Sequence, residues 1–207
     1  MKEIAGECGV EMSDEETFVI DRFNADVNDD GQGTLIVNDA EYLINNKLMV
    51  GEKVKSGSPF LYRGIGMSVD PENPLLVEVL TGSPTSYTYN PDSSIADYPN
   101  TVGKSTLMIT ALQARNNARV LFVGSLEFFS NEFFESSVQK SNGKKFDKSG
   151  NEDLAIELSK WLFKEKGVLR VVDVKHNQVG HKEAPNAYTI KQELVKYLTF
   201  FFNFKNW

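Results

Sequence analysis

At 207 residues, 41% hydrophobic and 25% charged, the chain has material for one ordinary domain or one domain and part of a second, and its composition excludes a disordered segment. A net charge of −7 opposes phosphate backbones, so nucleic acid is excluded as a partner. The single cysteine, Cys8, forms no internal disulfide, and nothing marks an oxidising compartment.

The first ten residues lack the apolar run of a signal peptide. No stretch of about 18 apolar residues follows, so the literal reading is a soluble chain without an address. Residues 17–23 (TFVIDRF) have the β-branched and aromatic content of a strand that runs into an Asn/Asp/Gly turn over 24–33. Residues 34–37 (TLIV) read as a short covered strand, 39–46 as a short helix and 47–59 as loop. Strands are predicted over 61–69 and 75–80, separated by the turn at 70–74. Residues 82–104, with Pro84, Pro91 and Pro99, read as a long irregular excursion of the kind that often carries function.

The strongest core signal is the pair of apolar runs at 106–112 (TLMITAL) and 118–124 (ARVLFVG), joined by a polar turn. Both read as buried strands in the middle of a sheet. Both are too apolar for an exposed edge, so the isolated chain is expected to be poorly soluble. Residues 125–137 carry paired phenylalanines at helical spacing, read as core packing. Residues 151–166 form the clearest helix, with Leu154, Leu158, Trp161 and Leu162 on one face. Ser149 or Asn151 is the expected cap and Gly167 the expected left-handed residue beyond its end. Strand character resumes over 168–174. Strands alternating with a good helix predict an α/β fold with a buried sheet.

Several motif fragments point to chemistry, and each fails at a defined position. Gly103-Lys-Ser resembles the end of a phosphate-binding loop, but the glycine required five residues earlier is Tyr98, and a strand follows instead of a helix. Residues 26–31 (DVNDDG) match the first half of a calcium loop whose twelfth position is Val37 rather than Glu, so an Asx-rich turn is expected. The pairs Gly31/Gly33 and Gly64/Gly66 each begin a dinucleotide fingerprint whose third glycine is replaced, by Ile36 and Val69. The nearest approach to a nucleophile elbow, around Ser68, ends in Asp70. His176 and His181 are the only histidines and fall in an expected surface segment, which with one distant cysteine leaves no Cys/His zinc site. No spacing singles out a carboxylate pair among the 29 acidic residues. Catalytic, cofactor-binding and metal-binding residues are therefore all expected to be none.

The run GKSTLMITALQARNNARVLFVGSLEFFS over 103–130 closely resembles the family of oligosaccharyltransferase 48 kDa subunits. Further stretches match in the same order: GECGV at 6–10, GTLIV at 33–37, YRGIGM at 62–67, DPENPL at 70–75, LTGS at 80–83, TSY at 85–87, YP at 98–99, VGK at 102–104, LSKWLFKEKGVLR at 158–170 and PNAYT at 185–189. The resemblance covers roughly residues 1–190. It implies an accessory, non-catalytic subunit of the endoplasmic-reticulum complex that transfers a lipid-linked oligosaccharide to Asn in protein N-glycosylation. It implies a membrane location on the lumenal face, with a catalytic subunit, ribophorin-type subunits and the small defender-against-death subunit as partners and glycan as a candidate contact. It implies no cofactor. In fold, it implies an incomplete Rossmann-like domain over 1–166, the beginning of a β-rich domain over 167–190, and a divergent, non-native tail over 191–207. Family members carry a signal peptide and further strands before the point matching Met1, and a membrane anchor after Thr189, so the chain is expected to be truncated at both ends. A free-standing α/β ligand-binding domain or enzyme using the 82–104 loop is the alternative, and a nonfunctional fragment a third reading.

Overall fold

A computed structural model describes residues 2–55, 57–94, 96–141, 143–168, 174–178, 180 and 198–202. The chain divides into two compact units, Met1–Gly167 and Val168–Trp207.

The first unit begins with α1 (Lys2–Glu7), β1 (Val10–Met12), β2 (Phe18–Ile20) and β3 (Ile36–Asn38). Two one-turn helices, α2 (Lys47–Val50) and α3 (Glu52–Lys55), stand where loop was predicted, the first capped by the Asn46 side chain. Then come β4 (Phe60–Tyr62), β5 (Met67–Val69), β6 (Leu76–Thr81), β7 (Tyr87–Tyr89), β8 (Leu107–Gln113) and β9 (Arg119–Val123). The unit closes with α4 (Asn131–Glu135) and α5 (Asn151–Leu162). The helix expected over 39–46 is a single 3-10 turn at Ala40–Tyr42, and a second such turn at Glu127–Phe129 precedes α4.

The main sheet runs β1-β5-β8-β6, with β9 also paired to β8. β8 is its interior strand: six of its seven residues are buried, as a continuous apolar run requires. It has β6 along one side, while β5 (Met67 opposite Leu107) and β9 (Ile109 opposite Val123) share the other. β9 is less covered than its sequence suggested, with only Phe122 buried in the strand. Two short ladders, β2 with β7 and β3 with β4, complete the unit.

This is the α/β class that the pattern predicted. Every strand pair among the described residues is antiparallel. The β8–β9 turn is far too short for a parallel crossover, which takes a dozen or more residues. Rossmann-like wiring accordingly stays an expectation of the resemblance.

Two breaks in predicted elements have local causes. The strand expected over 61–69 is interrupted between β4 and β5. A Cβ at Gly64 would lie 2.2 Å from the Gly124 carbonyl oxygen, and one at Gly66 2.3 Å from the Thr88 methyl. At Gly64 two backbones meet, and at Gly66 a side-chain methyl takes the space a Cβ would fill. The excursion over 82–104 is interrupted by β7 and by a 3-10 turn at Gly103–Ser105, so it is a pinned segment rather than a free loop.

The main core lies between the sheet and α5. Phe60, Tyr62, Leu80, Met108, Phe128, Leu154, Leu158 and Trp161 are all within it. The predicted apolar face of α5 is the buried one, with Leu162 half-buried. Its ends differ from expectation. Gly150 occupies the cap position and has no side chain to bond with, while the Ser149 hydroxyl just before it accepts from the Asn151 N–H (3.3 Å). At the other end the helix stops at Leu162, and Lys164 rather than Gly167 takes the left-handed conformation next to it (φ 61°). Gly167 adopts its own positive φ three residues later.

In the second unit β10 (Val174–Gln178) pairs antiparallel with β11 (Leu198–Phe202), Val174 opposite Phe202. Most of the strand predicted over 168–174, the stretch at 185–189, His181 and most of the expected tail lie outside the described residues.

Candidate functional site

The densest polar arrangement in the first unit joins the end of β2 to the start of the 82–104 segment. Its centre is Asp21, which follows the apolar run of β2 and is 1% exposed. One carboxylate oxygen accepts from the Phe23 and Asn24 backbone N–H groups (3.1 and 3.2 Å) and from the Thr85 hydroxyl (2.9 Å). The other accepts from the Asn24 amide (2.8 Å) and the Ser83 hydroxyl. A carboxylate offers about four lone-pair sites, so five donors leave no position for a substrate proton. Both carboxylate oxygens of Asp21 are thus engaged in holding the fold.

The hydroxyls around it are similarly engaged. Ser86 Oγ donates to the Ser83 carbonyl (2.8 Å), and buried Thr88, Thr101 and Thr106 form a chain of hydroxyl contacts at 3.0–3.1 Å. The Tyr89 hydroxyl donates to the Ser94 carbonyl (3.1 Å) and accepts from Ala96 N–H (2.8 Å), closing the proline-rich stretch upon itself. The excursion read as a candidate binding loop thus spends its polar groups on its own fold. Replacing Asp21 by Ala is expected to destabilise the chain by about 1–3 kcal/mol, since the buried Ser83 hydroxyl and several part-buried donors lose their acceptor together. Urea unfolding measures the loss, and amide exchange should rise first at Asn24 and Thr85. An unchanged midpoint would mean that water replaces the carboxylate without cost.

A second cluster lies beside it. Lys140 Nζ donates to Asn24 Oδ1 (2.8 Å) and pairs with Asp39 (2.5 Å), tying the 24–39 region to the segment before α5. Asp26 accepts from Gln139 N–H (2.8 Å) along the same seam. Burial, then the adjacent Glu41, push the Tyr42 phenol up to about 12, so it is neutral and a hydrogen-bond donor at physiological pH.

The motif fragments resolve into turns. Asp29 accepts from the backbone N–H of Gly31, Gly33, Thr34 and Leu35 at 2.7–3.0 Å, which makes 26–33 a carboxylate-centred turn. Gly103 N–H donates to the Ser86 carbonyl (2.7 Å) and Thr106 N–H to the Gly103 carbonyl (3.0 Å), so these groups face the protein instead of a phosphate. Gly64 lets the Gly124 backbone approach, and Gly66 makes room for the Thr88 methyl. Ser68 stands on β5 opposite Glu11. Cys8 is half-buried against the cluster of Val10, Met67 and Leu107. His176 lies on β10. Among the described residues no group of three or more His, Cys, Asp or Glu is placed to hold a metal ion, and no helix is long and apolar enough to cross a membrane.

Sequence reading passed over Asp21 and Arg119 and saw Asn151 only as a candidate helix cap, not as the bridge from α5 to β4. Asp21 sits at the end of an apolar strand and Asn151 at the start of an apolar helix, and that placement is the only signal either residue carries.

Comparison with known proteins bears on the same segments. The family described as OST48, N-terminal domain, matches residues 1–165. The dolichyl-diphosphooligosaccharide–protein glycosyltransferase 48 kDa subunit of Danio rerio is 52% identical over 199 residues, covering 95% of this chain and 44% of its own length. The subunit of the same name from Drosophila melanogaster is 47% identical over 94% of this chain, and that from Arabidopsis thaliana 41% over 92%. The chain spans 44% of the length of each of these curated relatives. With four-fifths of its residues inside the family match and identity carried along nearly its whole length, the chain belongs to the OST48 family.

Proposed function

We propose that the chain is part of a non-catalytic 48 kDa subunit of the endoplasmic-reticulum oligosaccharyltransferase, supporting transfer of a lipid-linked oligosaccharide to Asn in protein N-glycosylation. The observation that carries the reading is 41–52% identity to subunits of that name from a fish, an insect and a plant, over 92% or more of the chain. The polar chemistry of the first unit supports an accessory role: its best-formed cluster uses a saturated carboxylate and hydroxyls bonded to one another. In this reading the transferase site is on another chain, the lumenal face holds this one, and the catalytic subunit, ribophorin-type subunits and the small defender-against-death subunit are its neighbours. Glycan is a candidate contact. Residues 1–166 form the end of the lumenal α/β domain, 167–190 open the β-rich domain, and 191–207 diverge from the family.

The test is an immunoblot of fractionated native cells with an antibody against residues 106–130, followed by co-purification with the catalytic subunit. A band in the membrane fraction that travels with the transferase is expected. A soluble band the size of this 207-residue chain, absent from the complex, would reject the role.

A further inference from the structure

Helix α5 ends at Leu162, and the five residues after it wrap back along the start of β9 before the first unit ends at Gly167. This wrap has few bonds of its own. Phe163, Lys164 and Glu165 N–H donate to the Ser159, Trp161 and Lys160 carbonyls and Lys166 N–H to the Lys160 carbonyl (3.4 Å), which leaves the Lys166 and Gly167 carbonyls without a helical partner. Arg119, the first residue of β9, collects both and joins Lys164 N–H on the Trp161 carbonyl. Nη1 donates to the Trp161 carbonyl (2.6 Å) and the Lys166 carbonyl (3.0 Å), and Nη2 to the Gly167 carbonyl (2.5 Å). The guanidinium carbon lies 4.7 Å from the centre of the Trp161 ring, which is itself 4% exposed. One planar cation therefore holds the helix end, the wrap and the final residue of the unit.

We propose that Arg119 is the latch of the 163–167 wrap, holding it against the start of β9 and releasing it when the guanidinium lets go. Two features make this a releasable contact instead of a permanent weld. All three acceptors are neutral carbonyls, with no carboxylate in direct contact, and Nε is buried without a partner. Desolvation accordingly pulls the guanidinium below its usual value, the mark of a cation bound at a cost. The wrap suits release: Lys164 and Gly167 both hold positive φ, Lys166 N–H reaches the Lys160 carbonyl only at 3.4 Å, and the Lys166–Glu157 ion pair tethers a side chain. Opening moves residues 163–167 and leaves β8 intact.

Limited trypsin digestion of the full chain reads the latch at the Lys166–Gly167 bond. Arg119→Ala and Arg119→Lys are both expected to raise cleavage there roughly tenfold, because a lysine ammonium lacks the fork that spans three carbonyls. Glu157→Gln, which removes the ion pair and keeps Arg119, is expected to stay within about twofold of the unaltered chain. Amide exchange at Ile109 and Ala111 in β8 should be unchanged in all three. Protection by Arg119→Lys equal to that by arginine would overturn the proposal, since charge alone would then suffice. A parallel loss of β8 protection would also overturn it, making Arg119 a contributor to global stability. Should neither variant fold, native-state exchange of the unaltered chain decides. Opening of Phe163, Lys164 and Glu165 at a rate separate from β8 supports the latch, and exchange only with global unfolding overturns it.

Discussion

Replacing Asn151 by Leu is expected to destabilise the chain by about 3–5 kcal/mol in urea unfolding, with little change in the slope of the transition. Asn151 is fully buried at the start of α5 and reaches across to β4, ninety residues earlier in sequence. Its amide oxygen accepts from Leu61 N–H (2.8 Å), and its amide nitrogen donates to the Leu61 carbonyl (2.8 Å) and the Phe128 carbonyl (3.4 Å). In effect the side chain acts as one residue of a strand beside β4. Leucine has nearly the same volume and none of the bonds, so a buried N–H and a buried C=O are stranded together, each costing about 1–3 kcal/mol. Asn151→Asp should also destabilise, by turning a donor toward two carbonyls into an anion facing them. A loss below about 1 kcal/mol for the leucine variant would mean that Leu61 finds water instead, and the bridge would be dispensable.

Truncating Phe128 to Ala is expected to cost about 3–5 kcal/mol. The ring is fully buried in the core between sheet and α5, with its centroid 5.3 Å from that of Phe129 in an edge-on arrangement. Around it lie the main chains of β4 and α5, which close-packed surroundings keep from collapsing into the space left behind. Phe129, by contrast, is exposed enough (39%) that its removal should cost far less, and the pair of variants is an internal control. The double variant Asn151→Leu, Phe128→Ala should fall short of the sum of its parts, because losing the ring loosens the main chain whose carbonyl the Asn151 amide binds. Full additivity would show that the amide and the ring act through separate supports.

Local pattern revealed much of this fold. The continuous apolar run of β8 and the 3.6-residue stripe of α5 each name their buried face outright, and the structure buries those faces. Short elements read less well. Residues 47–55 make two turns of helix with no periodicity long enough to detect, and the 61–69 run looks unbroken because glycine carries no record of the backbone it must approach. The polar framework was the least legible part. Asp21, Arg119 and Asn151 each find partners 42 or more residues away, up to 90 for Asn151, and no local spacing announces those bonds. Residues 26–31, read as an Asx-rich turn, were legible because Asp29 bonds within six residues of itself. The family resemblance drew on length of match rather than on any of these contacts, and so it could be seen in sequence while the site chemistry could not.

The crossing of Gly64 and Gly124 bears on how such a sequence can drift. A methyl group on either residue would be driven against main-chain oxygen at 2.2 Å, from Gly124 in one case and Ile65 in the other. Crowding between side chains can be relieved by shrinking the neighbour, so those positions wander in pairs over generations. Main chain has nothing to shrink. Neither glycine therefore has a compensating exchange elsewhere, and both should outlast the apolar residues around them as the lineage diverges, making the pair a landmark for aligning relatives too distant for overall identity to guide.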